Sequence, residues 1–599
     1  MIILQNVLQP DELREKALCL HENGAEILYN GYFNVFSLKK WLYYTELKNV
    51  ALRLHARGRF RIGLYSERGR LFSYTEETDE EKQEFIFPFL KDRCLLNEKE
   101  PDEEEKPAVL WLGWTPLSPD AMLLNAAWIT EDMPEQKVRL AVDVCTYRRE
   151  ECVRQLTEKI LCNLSDNDSL EIFISDNGRT LCCSADTVSG SDVFLDRRVH
   201  LFSNLNVGGS GGFTRGLIEV MDRNRQAGAG FTHVIFADDD AVPEPDAFVR
   251  TRAMLSFVKK EYRGACVGGA LLDNRSPWLQ NEAGALYDHG TSVPLGKGVD
   301  LRRLDNVLKN EKIYKADYAG WWYACYPLET IEKIGLPLPL FIHFDDIEYG
   351  LRSGEEILYL NGICTWHGSF DERYAQDNTY YSLRNRFITN ALREHASDYR
   401  KEAALCRNEI VFGLLRYQYT SAELVLAAVE DFCRGPEYLK LLDPEKKHAK
   451  IRNMADHFVP LKELGRSLEE IQRMEEYASA VRKGSHAGVH IGMKTYRRTL
   501  NGWLLPAKRS RKLCCYSVYR TDMRELYRQK EAALIDVYGC KGIKVKKSYR
   551  KALRCLYVLL KVSVLLKRDY KKAAEAYRKE EKLLESETFW RTEVLKTCM

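Results

Sequence analysis

The chain has 599 residues, 45% of them hydrophobic, 29% charged and 11% aromatic, with a net charge of +2. That length exceeds what one hydrophobic core serves, so two to four domains are expected, and the ordinary composition excludes a disordered chain. Near-neutrality hides an asymmetry: residues 491–599 carry 28 Lys and Arg against 11 Asp and Glu, leaving 61 against 76 in residues 1–490, so the body is acidic and the tail basic.

The opening "MIILQNVLQPDEL" has no basic n-region and no apolar h-region of signal-peptide length, which does not contradict an expected cytoplasmic location. The 17 cysteines are scattered, twice as neighbours (Cys182 with Cys183, Cys514 with Cys515), and never as the CxxC pairs of zinc or redox sites. A large chain with an odd count and no disulfide framework is expected to keep them reduced.

Residues 1–135 read as mainly β. "YFNVFSLKKWLYY" and "NVALRLHARGRFRIGLYS" alternate apolar with polar positions, and "PAVLWLGW" follows the acidic loop "NEKEPDEEEK". A β-sandwich or small barrel is expected, serving either as a structural or oligomerisation domain or as a carbohydrate-binding one.

From 136 to 395 the pattern alternates strand and helix. "KVRLAVDVCTY" reads as a strand, "RREECVRQLTEKILCNL" as an amphipathic helix, "SLEIFISDNG" as a strand, "TRGLIEVMDRNRQ" as a helix and "THVIFADDD" as a strand. Strands separated by helices imply right-handed crossovers and a mostly parallel, Rossmann-like sheet, with ligands bound beyond the strand ends. Residues 396–599 read as α-helical. The most apolar stretch, "CLYVLLKVSVLL" at 555–566, measures roughly 18 Å as a helix against a hydrocarbon core of roughly 30 Å, so it is expected to lie on a membrane rather than span one.

"VIFADDDAVPEP", residues 234–245, runs from an apolar strand into Asp238, Asp239 and Asp240. Three adjacent carboxylates at the edge of a core repel and are costly to desolvate, so a compensating divalent cation is expected. The loop glycine and terminal glutamate of an EF-hand are missing at their required offsets. Upstream, "TYRR" (146–149) and "SDNG" (175–178) each close a strand of the same sheet. Between them and the acids, "NLNVGGSGGFTRG" (204–216) packs four glycines into five positions, as a loop that cradles a diphosphate would. It lacks the GK[ST] end of a Walker loop and does not fit GxGxxG, so ATP and NAD readings lose ground. Downstream stand Asp345 and Asp346 in "HFDDIEYGLR", His367 in "GICTWHGSF", and Trp321 with Trp322 in "AGWWYACYP". The tryptophan pair fits a sugar-stacking wall and a buried core pair equally well.

The ordered set "TYRR", "SDNG", "NVGGSGGFTRG", "FADDD", "AGWWY", "FDDIEYGLR", "WH" and "YYSLRNR" resembles the GT-A glycosyltransferases of family 2, and within them the bacterial galactofuranosyltransferases that polymerise a cell-wall galactan. The similarity covers residues 136–390 well and extends more loosely to a preceding β domain and a following helical one. The resemblance implies a multidomain α/β protein: an N-terminal β domain at 1–135, a GT-A catalytic domain at 136–395, and a C-terminal helical domain with a basic amphipathic tail at 396–599.

The resemblance further implies an inverting transferase (a hexosyltransferase) that uses UDP-galactofuranose and a glycan or lipid-linked acceptor in polysaccharide biosynthesis. Thr146, Arg148, Asp176, Asn177, Asn206, Gly208, Gly209, Gly211 and Asp239 would bind the donor. Asp238, Asp240 and His367 would hold Mn²⁺ or Mg²⁺, Asp346 would be the base with Asp345 beside it, and Trp321 and Trp322 would shape the acceptor site. Phe344 stands where the family usually has tryptophan. The alternatives are a family 2 transferase with another donor sugar, rhamnosyl or glucosyl, or a degenerate transferase serving as a polysaccharide-binding scaffold. The basic tail is expected to meet the anionic inner face of the plasma membrane rather than nucleic acid, and a homo-oligomer is compatible with the chain.

Overall fold

The computed structural model describes residues 1–92, 94–95, 106–162, 170–181, 193–368, 374–393, 398–464, 468–482, 491–507, 513–520 and 522–595. The pair Cys182 and Cys183, and all of the expected acidic loop but its last residue, lie outside them. They form two compact units, one of residues 1–338, 345–368 and 585–599, the other of residues 339–344 and 369–584.

The first unit opens with an antiparallel sheet of eight strands: β1 (Ile2–Asn6), β2 (His21–Asn23), β3 (Glu26–Tyr29), β4 (Val50–Ser66), β5 (Gly69–Lys91), β6 (Cys94–Leu95), β7 (Leu110–Pro116) and β8 (Met122–Thr130). Alternation in β4 buries Leu52, Leu54, Phe60, Ile62 and Leu64 on one face and places Arg53, Arg57, Arg59 and Arg61 on the other. One edge of β4 pairs first with β8 and then with β7, the change falling at Gly58, whose φ of +73° a side chain would resist. The strand order β1-β8-β4-β7-β3-β2 has free ends, so this is an open sheet rather than the closed barrel offered as one expectation.

The expected boundary at 135 is not a break in the chain's packing. Asn6 Nδ2 donates to Asp246 Oδ1 at 2.6 Å, Arg250 Nη2 to the Phe33 carbonyl at 2.6 Å, and Lys40 Nζ to the carbonyls of Asn310 and Tyr359 at 2.6 and 2.7 Å. Buried charged groups need such partners, and here each draws its partner from across the expected boundary, which fuses the β sheet with the α/β layer.

That layer is a seven-stranded sheet ordered β11-β10-β9-β12-β20-β14-β21: β9 (Leu140–Thr146), β10 (Leu170–Asp176), β11 (Val199–Ser203), β12 (His233–Asp238), β14 (Cys266–Gly268), β20 (Ala324–Pro327) and β21 (Ile357–Leu358). The first four are mutually parallel, while β20 runs antiparallel to both of its neighbours. A second sheet ordered β13-β22-β15-β16-β19 combines β13 (Val242–Pro243), β15 (Ala270–Asp273), β16 (Leu279–Glu282), β19 (Val299–Asp300) and β22 (Cys364–His367), and β17 (Ala285–Asp288) pairs with β18 (Thr291–Pro294) as a hairpin.

The second unit is not helical throughout. Helices Asn378–Arg393, Tyr399–Leu415 and Thr420–Cys433 pack on the 36-residue helix Tyr549–Leu584. Beside them a four-stranded sheet joins Val459–Pro460, Lys541–Lys546, Glu531–Asp536 and Cys514–Ser517 in that order, over a small core of Leu461, Met474, Ala533, Ile535 and Val537. Its strands are short and lie among basic residues, which hides their alternation in the sequence. Cys514 and Cys515 are not joined in a disulfide. No helix among the described residues is long and apolar enough to cross a membrane.

Candidate active site

Strand β9 has β10 on one side and β12 on the other, so the direction of crossover reverses beside it, which in open α/β sheets is where ligands bind, beyond the strands' carboxyl ends. Register brings Asp176 opposite Thr146 and Asp238 opposite Cys145. Three segments far apart in sequence thus end on one edge.

The triple acid forms the turn leaving β12. Thr146 Oγ1 donates to Asp239 Oδ2 at 2.7 Å, and Arg149 Nη1 donates to Asp239 Oδ1 at 3.2 Å and to Asp240 Oδ2. His367 reaches the same turn because β13, directly after Asp240, pairs with β22, Val242 standing opposite Trp366. Its Nε2 lies 3.3 Å from Asp240 Oδ1. Burial first, and then the charge of Asp240, push the Asp238 carboxyl up to about 7.

Two carboxylates and an imidazole are a donor set suited to Mn²⁺ or Mg²⁺, and the excess negative charge that raises Asp238 is what a cation would relieve. Arg149 supplies positive charge there instead, and among the described residues no three such side chains stand close enough together to enclose an ion. The residues fit the metal in kind, with Asp240 already shared between Arg149 and His367. Arg148, the expected nucleotide contact, is exposed over the Tyr147 ring with φ +55°, whereas its neighbour Arg149 faces the acids. Sequence alone could not say which of two adjacent arginines turned inward.

The glycines do not form a free loop. They make the first turn of helix Gly208–Ala227, which begins six residues earlier than the sequence pattern predicts. Glycine is required there by contact: a Cβ on Gly212 would lie 2.1 Å from Cys145 Sγ, and one on Gly216 would lie 1.9 Å from Asp143 Oδ1. Close approach to β9 therefore offsets the low helix propensity of the stretch, and the turn stands at the positive end of a helix dipole. Asn177 fastens this turn to the strand edge, donating to the Gly208 carbonyl at 2.9 Å and accepting from Asn204 Nδ2 at 2.9 Å. Asn206 Oδ1 accepts the Gly208 N–H at 3.2 Å. Asp176 accepts the backbone N–H groups of Gly178, Thr180 and Leu181 at 2.9, 2.7 and 2.7 Å, so it is buried building its own turn.

Asp345 and Asp346 open helix Asp345–Ser353. Burial first and the Asp346 charge second hold Asp345 well above the usual carboxylate range, while burial pushes Asp346, whose Oδ1 accepts the Ile347 N–H at 2.8 Å, up to about 6. Asp238 also raises Asp345, so the two acid groups share one electrostatic site. Glu282, ending β16, belongs to it as well: burial and then Asp346 push its carboxyl up to about 8. Glu282 has no signal in the sequence, since an isolated glutamate in "LQNE" carries no motif.

The tryptophan pair is core rather than wall. Trp321 is 4% exposed, with ring centroids 5.1, 4.7 and 5.7 Å from Phe213, Phe236 and Tyr349. Trp322 is 6% exposed and donates Nε1–H to the Gly269 carbonyl at 2.9 Å. A stacking platform needs an open ring face, and the large apolar area of these rings is already spent on the core.

No protein-family model matches the chain. Among curated proteins, the galactofuranosyltransferase GlfT2 of Mycobacterium tuberculosis is 27% identical over 440 residues, covering 69% of this chain and 66% of that protein. Its counterpart of the same name in Mycolicibacterium smegmatis is 27% identical over 434 residues, covering 69% and 65%. The chain therefore spans just under two thirds of the length of these relatives. Among solved structures, GalNAc-T7 with UDP, GalNAc and Mn²⁺ aligns at TM-score 0.32 and 12% identity over 47% of this chain and 52% of that one. S. aureus TarS 1-349 in complex with UDP aligns at 0.30 and 12% over 59% and 95%. The resemblance carried by the ordered motifs is matched by whole-sequence comparison: this chain has galactofuranosyltransferases as its relatives, at 27% identity over 69% of its length.

Proposed function

We propose that the chain is an inverting glycosyltransferase that moves galactofuranose from UDP-galactofuranose to a glycan or lipid-linked glycan. The observation that carries this reading is the meeting, beyond the carboxyl ends of β9 and β12, of the Asp238–Asp240 turn, His367 and the Asp345–Asp346 helix, with the glycine helix fastened to the same edge. The galactofuranosyl choice rests on the named relatives.

In this reading the positive end of the glycine helix faces the diphosphate, and Asn177 and Asn206 hold its first turn rigid. Asp238, Asp240 and His367 would hold the divalent ion, which when bound offsets the charge of the departing UDP as a Lewis acid and template. Asp346 takes the proton of the acceptor hydroxyl, and Asp345, kept neutral, adds no second charge to repel it. One displacement at the anomeric carbon inverts configuration. Incubation with UDP-galactofuranose, UDP-galactopyranose, UDP-glucose and a rhamnosyl donor, with lipid-linked acceptors and with Mn²⁺ or chelator, is the test. Preferred use of another sugar replaces the donor assignment, and absence of UDP release from every donor overturns the enzyme reading.

We further propose that the chain lies on a membrane surface. On helix Tyr549–Leu584, Tyr549, Leu553, Leu556, Tyr557, Leu560 and Val564 are 50–67% exposed at helical spacing, while Ala552, Cys555, Val558 and Val562 face inward. Arg550 and Lys551 border the exposed stripe in sequence, as do Arg554 and Lys561, which pair with Glu423 at 2.8 Å and Glu430 at 2.6 Å. An apolar stripe edged by cations suits the interface of an anionic bilayer.

A further inference from the structure

The last described segment, Glu585–Leu595, lies against both helices that carry the site. Trp590 is fully buried, its indole N–H donates to the Pro337 carbonyl at 2.9 Å, and its ring stands 3.5 Å from where a Cβ of Gly211 would be. At the other end of the glycine helix, Glu587 receives both terminal nitrogens of Arg225 at 2.8 and 2.6 Å, and Arg591 Nη2 donates to both oxygens of Asp222 at 2.7 Å. The same segment holds the acid-pair helix. Glu585 Oε1 lies 3.2 Å from Arg352 Nη1, Arg352 also pairs with Glu348 at 3.0 Å, and the Leu336 N–H donates to the Glu585 carbonyl at 2.9 Å. Gly335, with φ +86°, leaves room for the Glu585 backbone.

We infer that Glu585–Leu595 is a positioning strap that sets the distance between the Gly208–Gly211 turn and the Asp345–Asp346 pair. The inference rests on the glycosyltransferase reading of the site. Transfer requires the donor's anomeric carbon and the base to be held within a fraction of an ångström of their reacting separation. The two groups stand on different helices, and the strap grips both. The pairing of Arg352 with Glu348 and Glu585 is itself an indication of this role. Buried ion pairs rarely add net stability over apolar packing, and their best-attested use is to fix register. Neither Trp590 nor Glu585 is placed on a reacting atom, so both are positioning residues.

The test uses the full chain with Trp590→Leu, which loses the aromatic ring, Trp590→Phe, which keeps an aromatic ring but loses the N–H donor and part of the indole's volume, and Glu585→Gln, which loses the charge. Melting temperature, UDP affinity in Mn²⁺, kcat and donor KM are measured together with hydrogen exchange at residues 208–213 and 345–353. Expected for Trp590→Leu is about tenfold weaker UDP binding with faster exchange at 208–213, and for Glu585→Gln a fall in kcat of about tenfold or more, donor KM unchanged, with faster exchange at 345–353. A purely structural segment would move melting temperature alone. Folded variants whose UDP affinity, kcat and local exchange all stay within about twofold of wild type overturn the strap. Should Trp590→Leu not fold, Trp590→Phe and Glu585→Gln carry the same comparison. A wild-type chain that neither binds UDP nor transfers sugar overturns the enzyme reading instead, and exchange at the two helices then decides the strap by itself.

Discussion

Asn385 donates its side-chain amide to the carbonyl oxygen of His343 at 2.8 Å, and the same nitrogen reaches the carbonyls of Ile342 and Leu340 at 2.8 and 3.0 Å. The segment it holds is strained, since Phe341, His343 and Phe344 all have φ between +64° and +76°. Left-handed backbone costs each such residue about 1–3 kcal/mol and persists only where surrounding bonds over-determine it. The "YYSLRNR" stretch thus gains a physical role, with Arg384 adding a bond to the Leu340 carbonyl at 2.6 Å. Asn385→Asp keeps the shape and removes the donor, leaving buried carbonyls facing a carboxylate. A loss of about 2–4 kcal/mol in denaturant unfolding is expected, and a change below about 0.5 kcal/mol would refute the role.

Asp346→Asn should lower turnover by about 10² to 10⁴ while UDP affinity stays near wild type, because proton transfer is lost and the donor's contacts are not. If the pair only caps its helix, Asn serves nearly as well as Asp and turnover stays unchanged. Parallel measurement of turnover, UDP affinity and melting temperature separates these outcomes.

The rate should depend on pH with a limb near 6. Asp346 must be ionised to accept a proton, and burial pushes its carboxyl up to about 6, so activity is present above that pH and is lost as pH falls through it. Glu282, pushed up to about 8, is neutral across this window. Glu282→Gln should therefore leave the limb near pH 6 in place, whereas Asp346→Asn should abolish it. A limb that shifts by more than about one pH unit in Glu282→Gln would show that Glu282, not Asp346, titrates there.

Gly212→Ala tests why the glycine helix is glycine-rich. Its Cβ would stand 2.1 Å from Cys145 Sγ and 2.9 Å from Cys145 Cβ, so the thiol must turn aside or the helix must move off the strand. Overpacking of this kind costs about 1–3 kcal/mol, and the displaced turn should also bind UDP less well. Alanine has the higher helix propensity, so a rise in melting temperature would mean that the close approach is unimportant.

Leu553→Glu with Leu560→Glu addresses the membrane surface. These side chains are 67% and 65% exposed, so the pair should leave melting temperature within about 2 °C of wild type. Flotation with anionic liposomes should fall sharply while sugar transfer to a soluble acceptor persists. Flotation unchanged by the double substitution would remove the stripe from any role at a bilayer.

The sequence determined the alternating strand and helix pattern of residues 136–395, the carboxyl-end placement of Asp238–Asp240, and the amphipathic character of the last long helix. These are local properties: the 2.0 and 3.6 residue periods and runs of like charge can be read without knowing any partner. Tertiary structure alone decided that Arg149 rather than Arg148 meets the acids, that Glu282 joins the Asp345–Asp346 site, and that Trp321 and Trp322 are core. It also decided that Glu585–Leu595 reaches Gly211 and Arg352, hundreds of residues away. Each of these depends on which way a side chain turns or which distant segment returns to it. Neither is encoded in spacing, because orientation follows from long-range burial and partner supply rather than from neighbouring residues.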